Sequence, residues 1–418
     1  MAPEPDTLSH VARDLLSRIN LDLLECVPLQ KLWAGYGYVC AVKARSSNSS
    51  TVTSLRGGHD GHDGHDGHDG HDGHESLILK IITPPPGRRD EGHLRKVLSY
   101  HVEQYFYQTV APTLGGLPLP ACVAATCQTD PAGHAAMMAM LLTDLRPRYP
   151  VAAGGKRAVL APRQVRSALR WLARFHSSYW APDKPKLDLV LPPLEEYAKA
   201  APSTSGLWLN GGYAYLATRR AEYAALARDA ASEWSPCLCE PVVGAASVAE
   251  LAARVLAPTG RRSVETYLHG DVKSENLFSN ETGDQVAFCD FQYVGLGLGV
   301  CDLAKLLTCS VPADMLHGDD LPRRLAMTEG ERSLLLEYRD ELLAGAAAPV
   351  YGWADFQRHW ETALVDWCRF QASWGFWGNT EWLAARARYV LRDEGWIEWL
   401  KRQNADYIEA RETEETGN

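Results

Sequence analysis

The chain has 418 residues, of which 46% are hydrophobic and 22% charged, as in an ordinary globular protein with one large domain or two smaller ones. Its formal net charge of −10 argues against nucleic acid or an anionic membrane surface as the main partner. The N-terminus lacks the apolar core of a secretory signal, and no apolar run is long enough to span a bilayer. The cysteines are scattered, so we expect a reduced cytoplasmic protein, and the sequence indicates no obligate protein partner.

The first part of the chain has the pattern of a helix followed by strands. Apolar residues at helical spacing predict a helix within residues 7–25, and residues 29–44 and 76–82 have strand-like composition. Gly35-Tyr36-Gly37 divides the first of these segments and predicts a hairpin turn. Lys80 lies among five aliphatic residues, so it either faces water at a sheet edge or meets a buried partner.

A His-Asp-Gly repeat separates these strands between residues 58 and 74. It has neither helical nor strand periodicity, so we predict a disordered loop over residues 45–75. Its side chains could bind Zn²⁺, Cu²⁺ or Ni²⁺ loosely, or the repeat could be a tolerated expansion at a hairpin tip.

A second helix is predicted from about residue 92 to residue 110, with Glu103 inside it and Pro112 after it. Glu91 and Glu103 are the acidic candidates for a role there, and a solvated helix face would also explain them. Residues 135–142 then read as a buried strand that Thr143-Asp144-Leu145 interrupts.

From about residue 146 the pattern is mainly helical. A long helix begins near Pro162, and residues 180–260 are alanine-rich and predict further helices. The C-terminal third is rich in tryptophan, which is typical of a core but could also box a cationic ligand. Asp366 and Trp377 are the candidates for such a box.

The strongest chemical signal lies between Tyr267 and Leu307. His269-Gly270-Asp271 opens it, Asn276 follows in the spacing Asp-x-Lys-x-x-Asn, and Asp290 ends an apolar segment. Phosphoryl transfer needs an acceptor for the hydroxyl proton and oxygen ligands for Mg²⁺, and these side chains supply both. A polar hairpin without chemistry is the alternative interpretation.

This spacing resembles the catalytic loop and metal-binding segment of kinases, with HGD for HRD and DFQ for DFG. That variant is similar to the superfamily of aminoglycoside phosphotransferases, choline kinases and ecdysteroid kinase-like (CHK kinase-like) enzymes. The resemblance covers roughly residues 29–391. It implies a two-lobed, protein-kinase-like α+β fold. Residues 1–145 would form an N-lobe of antiparallel sheet with one helix, and residues 146–418 a mostly helical C-lobe.

The resemblance also implies roles for the residues of the motif. Asp271 would orient the substrate hydroxyl and accept its proton, and Lys273 would stabilise charge on the transferring phosphoryl group. Asn276 and Asp290 would bind Mg²⁺. His269, His176 and Asp302 would be structural, with Asp302 capping the following helix and hydrogen-bonding the catalytic loop.

For the nucleotide, the resemblance implies a site in the first lobe. Gly35 and Gly37 would cover the phosphates of ATP, and Lys80 would contact them while paired with Glu103. Thr143, Asp144 and Leu145 would form the hinge that binds adenine.

The sequence therefore predicts a Mg·ATP-dependent kinase whose acceptor is the hydroxyl of a small molecule. Sterol-like alcohols, amino alcohols, aminoglycosides and sugars all remain open as acceptors. A catalytically silent nucleotide-binding scaffold and a protein kinase are the alternatives. The second is less favoured because no A-P-E segment follows Asp290.

Overall fold

The computed structural model describes residues 5–32, 35–47, 74–85, 90–129, 135–155, 157–199, 203, 205–244, 246–345 and 347–416. Most of the predicted His-Asp-Gly loop, residues 48–73, lies outside this range. The chain forms two compact units, Met1–Arg88 with Pro120–Asp144, and Arg89–Leu119 with Leu145–Asn418.

The first unit contains helix α1 (Pro5–Ser17) and an antiparallel sheet of five strands. The strands are β1 (Leu21–Lys31), β2 (Gly37–Ser46), β3 (His74–Ile82), β4 (Cys122–Thr129) and β5 (Ala135–Thr143), in the order β1-β2-β3-β5-β4. Leucines of α1 form the core of the unit with aliphatic side chains of β2, β3 and β5. Burial of these side chains is what holds the helix on the sheet.

The opening helix is shorter than predicted. It ends at Ser17, Asn20 adopts a left-handed conformation (φ 59°), and Leu21 already pairs with Ser46 in the sheet. Pairing with β2 therefore overrides the helical spacing of apolar residues that continues past Ser17.

Strands β2 and β3 extend into the predicted loop. Their register pairs Arg45 with His74, so the described strands occupy both margins of the predicted range 45–75. The hairpin between β1 and β2 is present, and Gly35 and Gly37 lie at its turn.

Lys80 lies in a central strand. Its strand, β3, pairs with β2 through Val39 and with β5 through Met140, and the lysine side chain is buried. The interpretation as a solvent-facing edge lysine is therefore wrong.

The second unit is mostly helical. Its helices are α2 (Glu91–Tyr105), α3 (Pro162–Ser177), α4 (Pro193–Glu196), α5 (Arg220–Ala227), α6 (Trp234–Cys239), α7 (Val248–Leu256), α8 (Val300–Ser310), α9 (Glu329–Leu342), α10 (Trp353–Trp374), α11 (Thr380–Val390) and α12 (Glu394–Thr416). Its short strands are β6 (Val151–Ala152), β7 (Leu189–Val190), β8 (Leu207–Trp208), β9 (Pro241–Val243), β10 (Ala246–Ser247), β11 (Thr266–Leu268), β12 (Leu277–Ser279), β13 (Val286–Phe288) and β14 (Gly295–Gly297).

Helix α2 groups with this second unit, whereas the prediction placed it in the first lobe. The Asp90 side chain caps it by accepting a bond from His93 N (3.0 Å), and the helix packs against α4 and β8. After Tyr105 it continues as a π-helix (Phe106–Val110) and a 3-10 turn (Ala111–Thr113). The helix that packs on the sheet of the first unit is α1.

The segment from residue 180 to residue 260 is less helical than predicted. Among its described residues the longest helix is α7, with 9 residues, and the strands β7 to β10 lie between the helices. Pro241 follows the C-cap of α6 and Pro258 follows that of α7, and proline cannot continue a helix.

Helix α10 is the centre of the helical core and packs against α7, α8 and α11. Arg386 and Glu331, both fully buried, form an ion pair beside it (2.8 Å), and Trp360 Nε1 donates to the same carboxylate (2.8 Å). Among the described residues, no helix combines the length and apolarity needed to cross a membrane.

Candidate active site

A tight loop after β11 presents the candidate catalytic acid. Leu268 of β11 pairs with Gly295 of β14, and the chain then turns at Gly270, whose φ of 81° favours glycine. A Cβ at Gly270 would collide with the carbonyl oxygen of Tyr293. The loop therefore depends on glycine at this position to place Asp271.

Asp271 is 7% exposed and both of its carboxylate oxygens are engaged. Lys273 Nζ donates to Oδ2 (2.9 Å), Asn276 Nδ2 donates to the same oxygen (3.1 Å), and Lys305 Nζ donates to Oδ1. Burial by itself raises the pKa of this carboxyl, but the ammonium groups of Lys273 and Lys305 outweigh it and hold the pKa well below its ordinary value. Asp271 is thus an ionised carboxylate that can accept a hydrogen bond.

Lys305 was not among the residues that the sequence predicted. It lies on α8, is 4% exposed and pairs directly with Asp271. A signal was available, because it is a lysine within the otherwise apolar run Leu-Ala-Lys-Leu-Leu, the same pattern that drew attention to Lys80.

Asn276 and Asp290 have the chemistry of a divalent-metal site. The Asn276 amide nitrogen donates to the Asp271 carbonyl oxygen (2.9 Å) and carboxylate, which leaves its amide oxygen for another ligand. Asp290 follows β13 in a left-handed conformation (φ 66°) that is uncommon outside glycine but tolerated by aspartate. Two hard oxygen donors fit Mg²⁺, which keeps several non-protein ligands.

The described residues contain no group of three or more His, Cys, Asp and Glu side chains arranged to hold a metal by themselves. A metal bound by Asn276 and Asp290 would therefore need further oxygen ligands from elsewhere.

Lys273 stands between carboxylates. Burial lowers the pKa of its ammonium group, but Asp271 and Asp290 outweigh burial and raise it well above the ordinary value. The lysine is therefore a fixed positive charge next to both acids.

His269 is a structural residue, as expected. Its Nδ1 accepts a hydrogen bond from Asp271 N (3.2 Å), its Nε2 donates to the Cys289 carbonyl (3.1 Å), and its ring packs on Phe291 (4.5 Å between centroids). Burial outweighs the neighbouring carboxylates and lowers the pKa of His269, so the imidazole is neutral. Phe291 is in turn stacked on Phe106 (4.2 Å), which fixes the segment that carries Asp290.

Asp302 ties α8 to the catalytic loop. Its carboxylate accepts bonds from His269 N (2.7 Å) and Gly270 N (2.9 Å), and His176 Nε2 donates to it (3.0 Å). The predicted hydrogen bonds to the catalytic loop and the structural role of His176 are confirmed. The predicted helix cap is wrong, because Gly299 is the N-cap of α8 and Asp302 is its third residue.

A small cavity of about 40 Å³ lies beside the loop. Gly270, Tyr213, Lys305, Asp366 and Trp367 are among the residues that line it. The candidate Asp366 therefore does lie at the cavity that adjoins Asp271. Trp377 is not in the lining, and its ring contacts that of Trp367 edge to face (5.6 Å between centroids).

The residues predicted to bind the nucleotide lie in both units. Gly35, Gly37, Lys80, Thr143 and Asp144 belong to the first unit, and Glu103 and Leu145 belong to the second. A Cβ at Gly37 would collide with the Ile81 carbonyl oxygen, so glycine is required there. Glu103 is 1% exposed, which excludes a solvated helix face, while its pairing with Lys80 stays a prediction.

A profile of the phosphotransferase enzyme family (APH) matches residues 68–342, more than half of the chain. The chain belongs to this family. As a family member it is a small-molecule phosphotransferase, and its fold is the two-lobed, kinase-like α+β fold that the sequence predicted. The matched range contains Lys80, Glu103 and the whole segment from Asp271 to Lys305.

Solved structures that resemble this family member include kinases for several kinds of substrate. Macrolide 2′-phosphotransferase MphH from Brachybacterium faecium is 17% identical, with 92% of this chain and 98% of that chain covered and a TM-score of 0.44. A choline/ethanolamine kinase family protein from Mesorhizobium loti is 12% identical, with 78% and 85% covered and a TM-score of 0.36. Plasmodium vivax ethanolamine kinase is 11% identical, with 94% and 88% covered and a TM-score of 0.36.

These identities and TM-scores are low, so the assignment depends on the family profile. Among curated proteins, none has a sequence that matches this chain.

Proposed function

We propose that this phosphotransferase transfers the γ-phosphoryl group of ATP to a hydroxyl group of a small molecule in the presence of Mg²⁺. The observation that carries the proposal is the environment of Asp271. It is an ionised carboxylate held by Lys273, Asn276 and Lys305, and its chain neighbour Gly270 and its partner Lys305 line a cavity in the second unit.

Asp271 would accept a hydrogen bond from the acceptor hydroxyl and orient it toward the phosphorus. Its lowered pKa makes it a weak base, which suits a loose transition state in which the proton leaves late. Positioning would then contribute more to the rate than proton abstraction.

Asn276 and Asp290 would hold Mg²⁺ through the free amide oxygen and the carboxylate. When bound, the metal neutralises charge on the phosphate oxygens. Lys273, fixed between Asp271 and Asp290, would add a second positive charge at the same place.

The nucleotide would use the residues that the resemblance indicates, which are Gly35, Gly37, Lys80, Glu103, Thr143, Asp144 and Leu145. The net charge of −10 supports a small molecule rather than nucleic acid or a membrane as partner, and the scattered cysteines support a cytoplasmic location.

Calorimetric titration with ATP, with and without Mg²⁺, tests the nucleotide and metal parts of this proposal. We expect binding that depends on Mg²⁺, a loss of about tenfold or more in Asp290→Ala, and little change in Asp271→Ala, because Asp290 would ligate the metal and Asp271 would not. ATP affinity that is the same without Mg²⁺, or that Asp290→Ala leaves unchanged, would contradict it.

A further inference from the structure

Aromatic rings at and near the cavity are in contact with positively charged side chains of the protein itself. Lys305 Nζ lies 5.0 Å from the ring centroid of Tyr213 and 5.4 Å from that of Trp367, both of which line the cavity. The Arg219 guanidinium lies 3.9 Å from the Tyr213 centroid and 5.2 Å from that of Trp374. A side-chain cation this close to a ring already forms the cation–π interaction that a cationic ligand would need.

Both cations are fixed in place. Lys305 is buried and paired with Asp271, so moving it would leave that carboxylate short of a partner. Arg219 is fully buried, its Nε donates to the Tyr213 carbonyl (2.8 Å), and it pairs with Glu222 (3.2 Å). An incoming ammonium group cannot displace them without breaking these bonds.

The carboxylates that line the cavity also have hydrogen-bond partners within the protein. Asp302 takes its three donors from His269, Gly270 and His176. Asp366 Oδ1 receives Arg369 Nε (3.1 Å) and Nη2 (2.8 Å), so its charge is balanced.

Asp366 Oδ2 differs from these oxygens. In the part of the chain that the structure describes, no hydrogen bond to it is formed, and Asp366 is part of the cavity wall. A balanced carboxylate with one open oxygen is an acceptor for a hydroxyl proton.

The remaining walls include Ala253, Leu256 and Ala363, which are apolar. They offer contact to hydrocarbon but no hydrogen bond. A ligand that enters would meet the open Asp366 oxygen, the fixed ammonium group of Lys305 and these apolar side chains.

We propose that this cavity takes a neutral alcohol and selects against acceptors that carry an ammonium group close to the reacting hydroxyl. The inference rests on the proposed function, because it concerns the acceptor of that reaction. An ammonium group entering here would lie beside Lys305 and repel it, and it would find the rings of Tyr213 and Trp367 already in contact with a cation.

Choline and 3,3-dimethylbutan-1-ol form a matched pair of probes, because they have the same shape and differ in charge. Ligand-observed NMR titration of each probe against the full-length protein measures the preference without any turnover. We expect the neutral alcohol to bind at least about tenfold more tightly than choline. In Lys305→Met the Trp367 ring loses the cation of Lys305 and the repulsion from that ammonium group disappears, so the preference shifts toward choline by about tenfold, whereas Lys305→Arg keeps the preference of the wild type.

Lys184→Met is the control, because Lys184 lies over the ring of Tyr179 (3.7 Å) and is not part of this cavity lining. It should leave the preference unchanged. Choline binding as tightly as the alcohol, a preference that Lys305→Met does not change, or no binding of the alcohol to the wild type would each overturn the inference. Circular dichroism of each variant excludes unfolding as the cause.

Calorimetric titration with Mg·ATP in the same preparations separates this inference from the proposed function. Normal nucleotide binding together with a preference for choline would overturn the acceptor class alone. Absent nucleotide binding would overturn the proposed function and leave the measured preference of the cavity standing.

Discussion

At the scale of single residues, the central feature is one carboxylate between two ammonium groups. Lys273, which lies on the same loop as Asp271, pairs with one of its carboxylate oxygens, and Lys305 of α8 pairs with the other. Buried ion pairs of this kind hold geometry, because removing one member leaves an uncompensated charge. The acid is therefore both ionised and fixed in direction.

Lys273→Met should raise the pKa of Asp271 toward its ordinary value. The ammonium groups favour the ionised carboxyl and lower its pKa, so deleting one of them moves the pKa upward. In the wild type, protonation of Asp271 should not limit kcat/KM above about pH 4. In the variant, the fall of kcat/KM on the acidic side of its pH profile should begin at higher pH.

The pH at which kcat/KM begins to fall is the informative quantity. The size of kcat/KM is less informative, because Lys273 would also act on the phosphoryl group and the loss of Lys273 lowers the rate at every pH. Lys184→Met serves as the control, since Lys184 lies outside this group of charges. A fall that begins at the same pH in Lys273→Met and the wild type would show that Lys273 does not set the ionisation of Asp271.

Local spacing could predict the members of this group that lie on one loop. Asp271, Lys273 and Asn276 are close in sequence, so the turn that brings one into place brings the others. Lys305 belongs to the same group through the packing of α8, and that packing depends on contacts along the whole helix. A sequence pattern shows that Lys305 is buried in an apolar helix, but not which carboxylate it meets.

At the scale of elements, α8 acts as the support of the catalytic loop. Asp302 holds the backbone of that loop from the first turn of the helix, and His176 of α3 holds Asp302. Gly299 at the N-cap allows the approach, because a Cβ there would collide with the Tyr338 hydroxyl, which donates to His176 Nδ1 (2.6 Å). Three helices, α3, α8 and α9, thus meet behind Asp271.

Asp302→Ala should destabilise the protein by about 3–5 kcal/mol, because it leaves two buried N–H groups and a buried imidazole without their acceptor. Urea unfolding measures the change in the free energy of unfolding, and turnover should fall with it as the loop loses its anchor. Asp340→Ala, an exposed carboxylate on α9, is the control and should change stability by less than about 0.5 kcal/mol. Equal stability of Asp302→Ala and the wild type would contradict the supporting role.

Elements were predictable where one strong local pattern decides them. The helix from Pro162 follows from helical spacing and the proline at its start, and the strand Ala135–Thr143 follows from a continuous apolar run. The end of α1 and the place of α2 depended on pairing and packing with distant segments. The short strands between residues 180 and 260 have too few residues to show a period.

At the scale of the whole molecule, buried histidines link stability to pH, and His101 and His359 do so in addition to His269. Burial lowers the pKa of His101 from 6.5 to about 4, and burial with the nearby charge of Arg262 lowers that of His359 to about 4. Both are therefore neutral in the folded protein at pH values where the unfolded chain would protonate them. This favours the unfolded state as the pH falls.

The melting temperature should therefore fall between about pH 6.5 and pH 4, where the unfolded state binds the additional protons, and each histidine could account for a loss of the order of 3 kcal/mol. Asp271 does not contribute in this window, because its lowered pKa acts only at lower pH. His359→Gln should show a shallower fall, and His10→Gln, at an exposed position, should follow the wild type. Parallel curves for all three proteins would contradict the assignment.

The division into a sheet unit and a helical unit was predictable because it follows the change from strand to helix patterns near residue 145. The grouping of residues 89–119 with the second unit could not be predicted, because a helix pattern does not show which partner buries the apolar face of the helix. The family profile covers the motif segment. The proposed preference for a neutral acceptor depends on Lys305, near the end of that segment, and on Arg219, which lies outside it.

ADP formation from Mg·ATP, measured with and without neutral small-molecule alcohols, tests the central claim most directly. The wild type should form ADP in an acceptor-dependent way, and Asp271→Ala should reduce the rate by about 10²- to 10⁴-fold while it still binds Mg·ATP. Wild-type protein that binds Mg·ATP but forms no ADP with any alcohol, or Asp271→Ala that is as fast as the wild type, would contradict the account.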